Sequence, residues 1–144
     1  MTKRVLIVDQ AREFRRLLEE LFPQLEHGHS YDVTWSHDAA DALSVLQREA
    51  FDLVVLASVY TPGIPWYGRE KQGLILLRHI RSLDANVPVI VFGSGDFSAK
   101  SPTRAEALAG GASAYVVKPI RLSEVEEQVA LALGSRRDPR FAGG

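Results

Sequence analysis

The sequence predicts an α/β fold of five βα units wound into three layers, with a parallel sheet covered by helices on both faces. Two observations predict it. Short apolar runs alternate along the 144 residues with segments of helical periodicity about 8–13 residues long. The runs at residues 5–8, 53–57 and 89–92 are apolar throughout, which is typical of parallel strands that are buried on both faces.

Periodicity and breaker residues place the individual elements. The predicted strands are short runs rich in β-branched residues, at residues 5–8, 31–35, 53–57, 87–92 and 114–117. The predicted helices carry an apolar stripe, at residues 11–22, 39–49, 73–83, 102–109 and 123–133. In the first and last helices, the side chains expected to face the core are Phe14, Leu17, Leu18 and Leu21, and Leu122, Val125, Val129 and Leu133.

Local signals mark several helix ends. Pro23 is expected to end the first helix, because proline cannot continue the helical hydrogen-bond pattern. Asp38 is a suitable N-cap for the second helix and Ser101 for the fourth. Ser123 and Glu126 have the spacing of a capping box for the fifth.

Composition limits the function classes. With 17 basic and 18 acidic residues the net charge is -1, which argues against an electrostatic nucleic-acid binder. The absence of cysteine excludes disulfides, thiolate metal sites and a thiol nucleophile, and it suits a cytoplasmic location. No apolar run reaches the ~18 residues of a membrane-spanning helix. Neither nucleic acid nor a membrane is therefore expected as a partner.

Sites in folds of this kind form where the parallel strands end, at the carboxyl edge of the sheet. The residues at these ends are Asp9, Gln10, Ala57, Ser58, Gly93, Ser94 and Lys118.

At these positions the sequence resembles the response-regulator receiver domain, the CheY-like (flavodoxin-like) fold of two-component signalling. The resemblance covers about residues 3–133, and the matching segments occur in the family's order, at residues 5–9, 51–56, 61–63, 73–78, 88–91, 111–115 and 118–119. It implies the strand order 2-1-3-4-5 and a cis peptide bond between Lys118 and Pro119. Residues 1–133 are expected to form this domain, and residues 134–144 a C-terminal tail or linker.

The resemblance implies phosphoryl transfer from a histidine kinase to an aspartate that follows the third strand, yet no aspartate is found there. Counted from the start of that strand, the acceptor position is Ala57; counted back from the following Pro-Gly turn, it is Ser58. Gln10 replaces the second acid of the family's acidic pair. The family's hydroxyl on strand four is replaced by Gly93, with Ser94 one residue later.

Asp9 and Lys118 are the family residues that remain, and they are expected to pair directly. One carboxylate is a poor site for Mg²⁺, so Mg²⁺ binding is expected to be weak or absent, with no other cofactor, metal ligand or catalytic residue. The sequence therefore indicates a degenerate receiver, or pseudo-receiver, that is not an enzyme. Its expected function is phosphorylation-independent protein–protein interaction in two-component signalling.

Two alternatives remain open at this point. Ser58 could serve as a non-standard phosphoryl acceptor, but it would need an activating base, and the sequence shows none beside it. The vacated pocket could instead bind a small molecule or an anion. The expected partners are signalling proteins, such as a histidine kinase or an output protein, or a second copy bound through helix 4, strand 5 and helix 5.

Four residues are candidates for an interface. Trp66 and Tyr67 lie in an unusually long loop, residues 59–72, and either contact a partner or fill the vacated pocket. Tyr115 occupies the position of the family's switch aromatic residue, and Leu131 points away from the core stripe of the last helix. Both either contribute to a contact or are ordinary single apolar residues at the surface.

Overall fold

In the computed structural model of the chain, the described residues are 2–10, 12, 14–25, 30–58, 72–93 and 102–135. Their strands are β1 (Thr2–Asp9), β2 (Ser30–Ser36), β3 (Leu53–Ser58), β4 (Val89–Gly93) and β5 (Ala114–Val117). Their α-helices are α1 (Arg15–Leu21), α2 (Ala39–Arg48), α3 (Gln72–Leu83), α4 (Arg104–Ala109) and α5 (Leu122–Ser135).

The strands form one parallel sheet in the order β2-β1-β3-β4-β5, which confirms the predicted fold class and strand order. The peptide bond between Lys118 and Pro119 is cis, as the resemblance implies. The pairing of β1 with β3 is regular as far as Val8 and Leu56, and it then shifts so that Asp9 lies opposite Ser58. Ala57 is therefore an extra residue at the end of β3.

Apolar side chains fill both faces of the sheet, as the fully apolar strands predict. Alternate residues of β3 belong to separate clusters: Leu53, Val55 and Ala57 pack with α1 and α5, and Val54 and Leu56 pack with α2, α3 and α4. This alternation follows from the period of two along a strand. Helices therefore cover the sheet on both sides, and its carboxyl edge is left for a site.

The first helix is shorter than its periodicity indicates. The α-helix starts at Arg15 rather than residue 11, and a turn of 3-10 helix at Phe22–Gln24 follows it, so Pro23 does end the α-helical segment. Leu18 and Leu21 are buried as predicted. Leu17 is 42% exposed, so its assignment to the core is wrong.

Of the three helix caps predicted from the sequence, one is confirmed. The Asp38 side chain accepts a hydrogen bond from the backbone N–H of Asp41 at 2.6 Å, which confirms it as the cap of α2. Helix α4 is capped by Thr103 in a capping box with Glu106, rather than by Ser101, which lies outside the described residues. Ser123 lies inside α5, so the predicted capping box at that residue is wrong.

Helix α5 extends to Ser135, two residues beyond the predicted end. Val125 and Val129 are buried as predicted, but Leu122 is 47% exposed, and Ala132 is buried instead. Within the described residues, no helix is both long and apolar enough to cross a membrane. The predicted tail from residue 136 onward lies outside the described residues.

Candidate functional site

The register shift between β1 and β3 decides which residue occupies the acceptor position. Ala57 is fully buried in the cluster under α1 and α5, so its side chain is part of the core. Ser58 lies opposite Asp9, and its hydroxyl donates a hydrogen bond to Asp9 Oδ1 at 2.5 Å. Ser58 therefore occupies the site beside Asp9. The count from the Pro-Gly turn indicates this residue, whereas the count from the strand indicates the buried Ala57.

Asp9 is a buried carboxylate, with 3% of its surface exposed. Its Oδ2 accepts a hydrogen bond from the backbone N–H of Phe14 at 2.9 Å, while Oδ1 accepts from Ser58. A buried charge requires such donors to replace water. Here both donors are neutral. The bond to Ser58 also places a carboxylate beside that hydroxyl, which the sequence pattern did not reveal.

Backbone hydrogen bonds fix the turn that follows β1. The N–H of Gln10 donates to the carbonyl of Ser58 at 3.0 Å, and the N–H of Arg12 donates to the carbonyl of Asp9 at 3.2 Å. Arg12 has a φ of 56°, in the left-handed region that is uncommon for residues other than glycine. The end of β3 therefore holds the turn that carries Gln10.

Phe14, which the sequence places only in the core, provides contacts to both remaining family residues. Its backbone N–H binds Asp9, and the ammonium of Lys118 lies 4.9 Å from the centre of its ring. Its ring also packs edge-to-face on Phe92. Among the described residues, the ion pairs within 4 Å are at the surface, and Asp9 with Lys118 is not one of them. The predicted direct pair is therefore wrong.

Tyr115 is fully buried, so its prediction as an interface residue is wrong. Its hydroxyl donates to the carbonyl of Pro102 at 2.7 Å. The ring lies against Gly93, the residue in place of the family's hydroxyl: a Cβ built on Gly93 would be 2.6 Å from Tyr115 Cζ. Leu131 is 57% exposed, as predicted. Trp66, Tyr67 and Ser94 lie outside the described residues.

The site does not fit the Mg²⁺ ion that the family's chemistry uses. Mg²⁺ needs an octahedron of hard oxygen ligands, to which the protein usually contributes one or two carboxylates whose oxygens face the ion. Asp9 brings one carboxylate, whose two oxygens already accept hydrogen bonds from Ser58 and Phe14. Within the part of the chain that the structure describes, no group of three histidine or acidic side chains is placed to bind a metal.

A small polar cavity of about 80 Å³ adjoins Asp9 on the side of β2. Arg15 lies at its edge, with its guanidinium 5.1 Å from the centre of the Trp35 ring. The cavity is lined by Asp9, Arg12, Arg15, Trp35, Ser36 and His37.

Comparisons with known proteins agree with this geometry. The family described as the response regulator receiver domain matches residues 5–130. The uncharacterized transcriptional regulatory protein YkoG of Bacillus subtilis is 30% identical over 129 residues, which are 90% of this chain and 50% of that protein. The chain thus spans about half the length of this curated relative.

Solved structures show the same fold. A CheY-like receiver domain protein of Methanospirillum hungatei has a TM-score of 0.71 at 21% identity, covering 94% of this chain and 97% of that one. The receiver domain of the sensor histidine kinase PA1611 of Pseudomonas aeruginosa has a TM-score of 0.72 at 20% identity, covering 94% and 100%. That protein holds a magnesium ion in its active-site cleft.

The strand order, the position of Asp9 and Lys118 and the match over residues 5–130 agree with one another. The chain belongs to the response regulator receiver domain family of two-component signalling.

Proposed function

We propose that this chain is a degenerate receiver that works by protein–protein contact, without phosphorylation and without enzymatic activity. The observation that carries the proposal is the hydrogen bond from Ser58 to Asp9, at the position where the family's chemistry needs a carboxylate. Receiver domains interact with histidine kinases and output domains, and a partner of that kind is proposed here. The cysteine-free sequence supports a cytoplasmic location for this role.

Electrostatics disfavour a phosphoryl group at this site. A phosphoserine carries about -1.5 to -2 charges at neutral pH. Attached to Ser58, it would lie beside the buried carboxylate of Asp9. At ~4 Å and an effective dielectric constant of ~20, each unit charge would add about 4 kcal/mol of repulsion. A divalent cation could compensate for this repulsion, but the described residues offer it one carboxylate.

Phosphorylation with a small donor tests the proposal. We expect no mass gain of one phosphoryl group when the chain is incubated with acetyl phosphate and Mg²⁺, and no fluorine resonance of a bound adduct with beryllofluoride. The matched control is the double variant Gln10→Asp with Ser58→Asp, which restores both carboxylates and should bind Mg²⁺ more tightly than the natural chain. Stoichiometric phosphorylation of the natural chain would overturn the proposal.

A second candidate function, a receiver with Ser58 as acceptor, gains support from the same hydrogen bond. The hydroxyl and a carboxylate base lie 2.5 Å apart, within the reach that nucleophilic catalysis requires. Incubation with an autophosphorylated histidine kinase, followed by mass spectrometry of the peptide that contains residue 58, tests it. A phosphoserine that is absent in Ser58→Ala would favour this function over the first.

A third candidate function, an anion sensor, rests on the cavity beside Asp9, because Arg12 and Arg15 line it. Its volume of about 80 Å³ suits a small anion such as inorganic phosphate. A thermal-shift series with phosphate at constant ionic strength tests it. Stabilisation that is lost in Arg15→Ala would support a sensor, and no shift would leave the interaction module as the better proposal.

The proposed contact surface includes α4, β5 and α5. Leu108 of α4 and Leu131 of α5 are 45% and 57% exposed. Light scattering over a range of concentrations tests whether a second copy binds there. Leu131→Glu should reduce any self-association, whereas Leu83→Glu, which replaces an exposed leucine of α3, should leave it unchanged.

A further inference from the structure

Tyr115 connects the last strand of the sheet with the start of α4. Its ring has no exposed surface, and its hydroxyl donates to the carbonyl of Pro102 at 2.7 Å. Pro102 immediately precedes Thr103, the N-cap of α4. The position of this side chain is therefore coupled directly to the first turn of that helix.

The buried position of Tyr115 requires a glycine at residue 93. A Cβ on Gly93 would lie 2.6 Å from Cζ and 2.8 Å from Cε2 of the tyrosine, and closer still to its hydroxyl oxygen. Separations this short are not tolerated between carbon atoms, so any other residue at position 93 would displace the ring. Gly93 lies within regular strand pairing, opposite Val117. Glycine is therefore needed here for space.

One face of the ring is covered by Arg104, whose guanidinium carbon lies 5.2 Å from the ring centre. If Tyr115 turned outward, it would displace this arginine and leave a void of aromatic size in the cluster packed against α2, α3 and α4. It would also remove the hydroxyl donor from the Pro102 carbonyl. The contacts of the ring therefore all favour one buried position.

We propose that Gly93, Pro102, Arg104 and Tyr115 form a fixed latch that holds the α4 end of the domain in one conformation, independent of the chemistry at Asp9 and Ser58. This inference rests on the proposed function and deepens it, because it supplies the regulation. An interaction module that receives no phosphoryl signal needs a surface that is always presented. The latch keeps the surface around α4 and β5 in that state.

Displacement of the ring tests the latch. Gly93→Thr places a side chain in the volume of the tyrosine, and Gly93→Ala is the milder form of the same change. Nitration by tetranitromethane, mapped by mass spectrometry, reports how accessible Tyr115 is, with Tyr31 as internal reference. We expect Tyr115 to react about tenfold faster or more in Gly93→Thr, and the amides of Arg104–Ala109 to exchange faster with deuterium.

Two further variants separate the latch from general damage. Gly134→Ala is the matched glycine control, since a Cβ there has no heavy atom within 4 Å, and it should leave both readouts unchanged. In a Tyr115→Leu background the space at Gly93 is open. The factor by which Gly93→Thr lowers the folding equilibrium constant should therefore be smaller in this background than in the natural chain, by about tenfold or more. Equal losses in both backgrounds would overturn the latch.

A last measurement distinguishes failure of the latch from failure of the proposed function. The nitration rate of Tyr115 in the natural chain is compared with and without beryllofluoride and Mg²⁺, while fluorine spectra monitor adduct formation. A nitration rate that is slow and unchanged by beryllofluoride supports the latch. If the rate is slow and an adduct forms as well, the proposed function is overturned but the latch is not. A rate as fast as that of Gly93→Thr overturns the latch, even when no adduct forms.

Discussion

The acidic residues at the two ends of the sheet have different partners. At the amino end, the backbone N–H of Arg4 donates to Asp52 at 2.9 Å, and the Arg4 guanidinium donates to Glu49 at 2.6 Å. Glu49 there is paired with an opposite charge. At the carboxyl end, Asp9 is buried against two neutral donors, Ser58 and the N–H of Phe14. Charge at the amino end joins segments of the fold, whereas the carboxyl end keeps one carboxylate of the family's reactive site.

Arg81 makes a further polar connection at the amino end. Its guanidinium donates to the carbonyls of Gly111, Asp84 and Val87, at distances from 2.6 to 3.2 Å. Burial lowers the pKa of Arg81 from its usual value, and the charge of Asp84 opposes that shift. Gly111 has a φ of 108°, which favours glycine, and it allows the arginine to approach closely. One side chain thereby joins α3, the start of β4 and the turn before β5.

Loss of this connection should have the largest effect on stability. In Arg81→Leu the three carbonyls lose their charged donor, so we expect the free energy of unfolding to fall by about 2–4 kcal/mol. Urea denaturation measures it. Arg48→Leu, at an exposed position of α2, should change stability by less than about 0.5 kcal/mol. Equal effects of the two variants would show that the amino end does not depend on Arg81.

A second carboxylate would sharpen the contrast at the carboxyl end. Ser58→Asp places a negative charge beside buried Asp9 and removes a donor, so we expect a loss of about 2–3 kcal/mol in chelator-treated buffer. Added Mg²⁺ should restore part of this loss, because two carboxylates form a better site. Ser58→Asn is the neutral control and should show no response to Mg²⁺ in the same denaturation series.

Removal of the hydroxyl is a smaller change at the same place. Ser58→Ala leaves Asp9 Oδ1 without its described donor, and we expect a loss of about 1–2 kcal/mol. Ser82→Ala is the comparison, because the Ser82 hydroxyl donates to a carbonyl on an exposed part of α3. It should cost less than about 0.5 kcal/mol. A Ser58→Ala variant as stable as the natural chain would mean that Asp9 needs no such donor.

The smallest expected effect concerns the cap of α4, near the carboxyl end. Thr103→Ala removes the side chain that accepts from the N–H of Glu106, and it should cost about 1 kcal/mol. Ser123→Ala, at the residue that the sequence favours as a cap for α5, should cost less than about 0.5 kcal/mol. Thermal unfolding of the two variants tests whether Thr103 caps α4 and whether Ser123 lies inside α5. A Ser123→Ala variant less stable than Thr103→Ala would contradict both assignments.

Periodicity and the resemblance together were enough to predict the fold. Fully apolar strands must be buried on both faces, and amphipathic helices can cover such a sheet in few ways. The wrong predictions concern side chains whose burial or hydrogen bonding depends on a neighbouring element. Leu17 and Leu122 belong to apolar stripes, but the edge of such a stripe is buried only if another element covers it. Ser123 fits a capping box in sequence, yet the helix starts one residue earlier.

The site was harder to predict for a similar reason. The sequence has no aspartate at either counted acceptor position, but the choice between Ala57 and Ser58 depends on strand register, which residue types do not encode. The expected pair of Asp9 with Lys118 overlooked Phe14, because its backbone N–H is invisible in a pattern of side chains. The close fit of Tyr115 against Gly93 likewise becomes apparent only in three dimensions.

The register shift at Ala57 also bears on how a buried strand can change length during evolution. An extra residue in a continuously paired strand would turn every later side chain to the opposite face of the sheet. Here the pairing of Val8 with Leu56 is kept, Ala57 accommodates the added length, and Ser58 still lies opposite Asp9. An insertion at the last position of β3 is thus confined to one residue. The β3 side chains before Ala57 therefore keep their alternation between the two faces of the sheet.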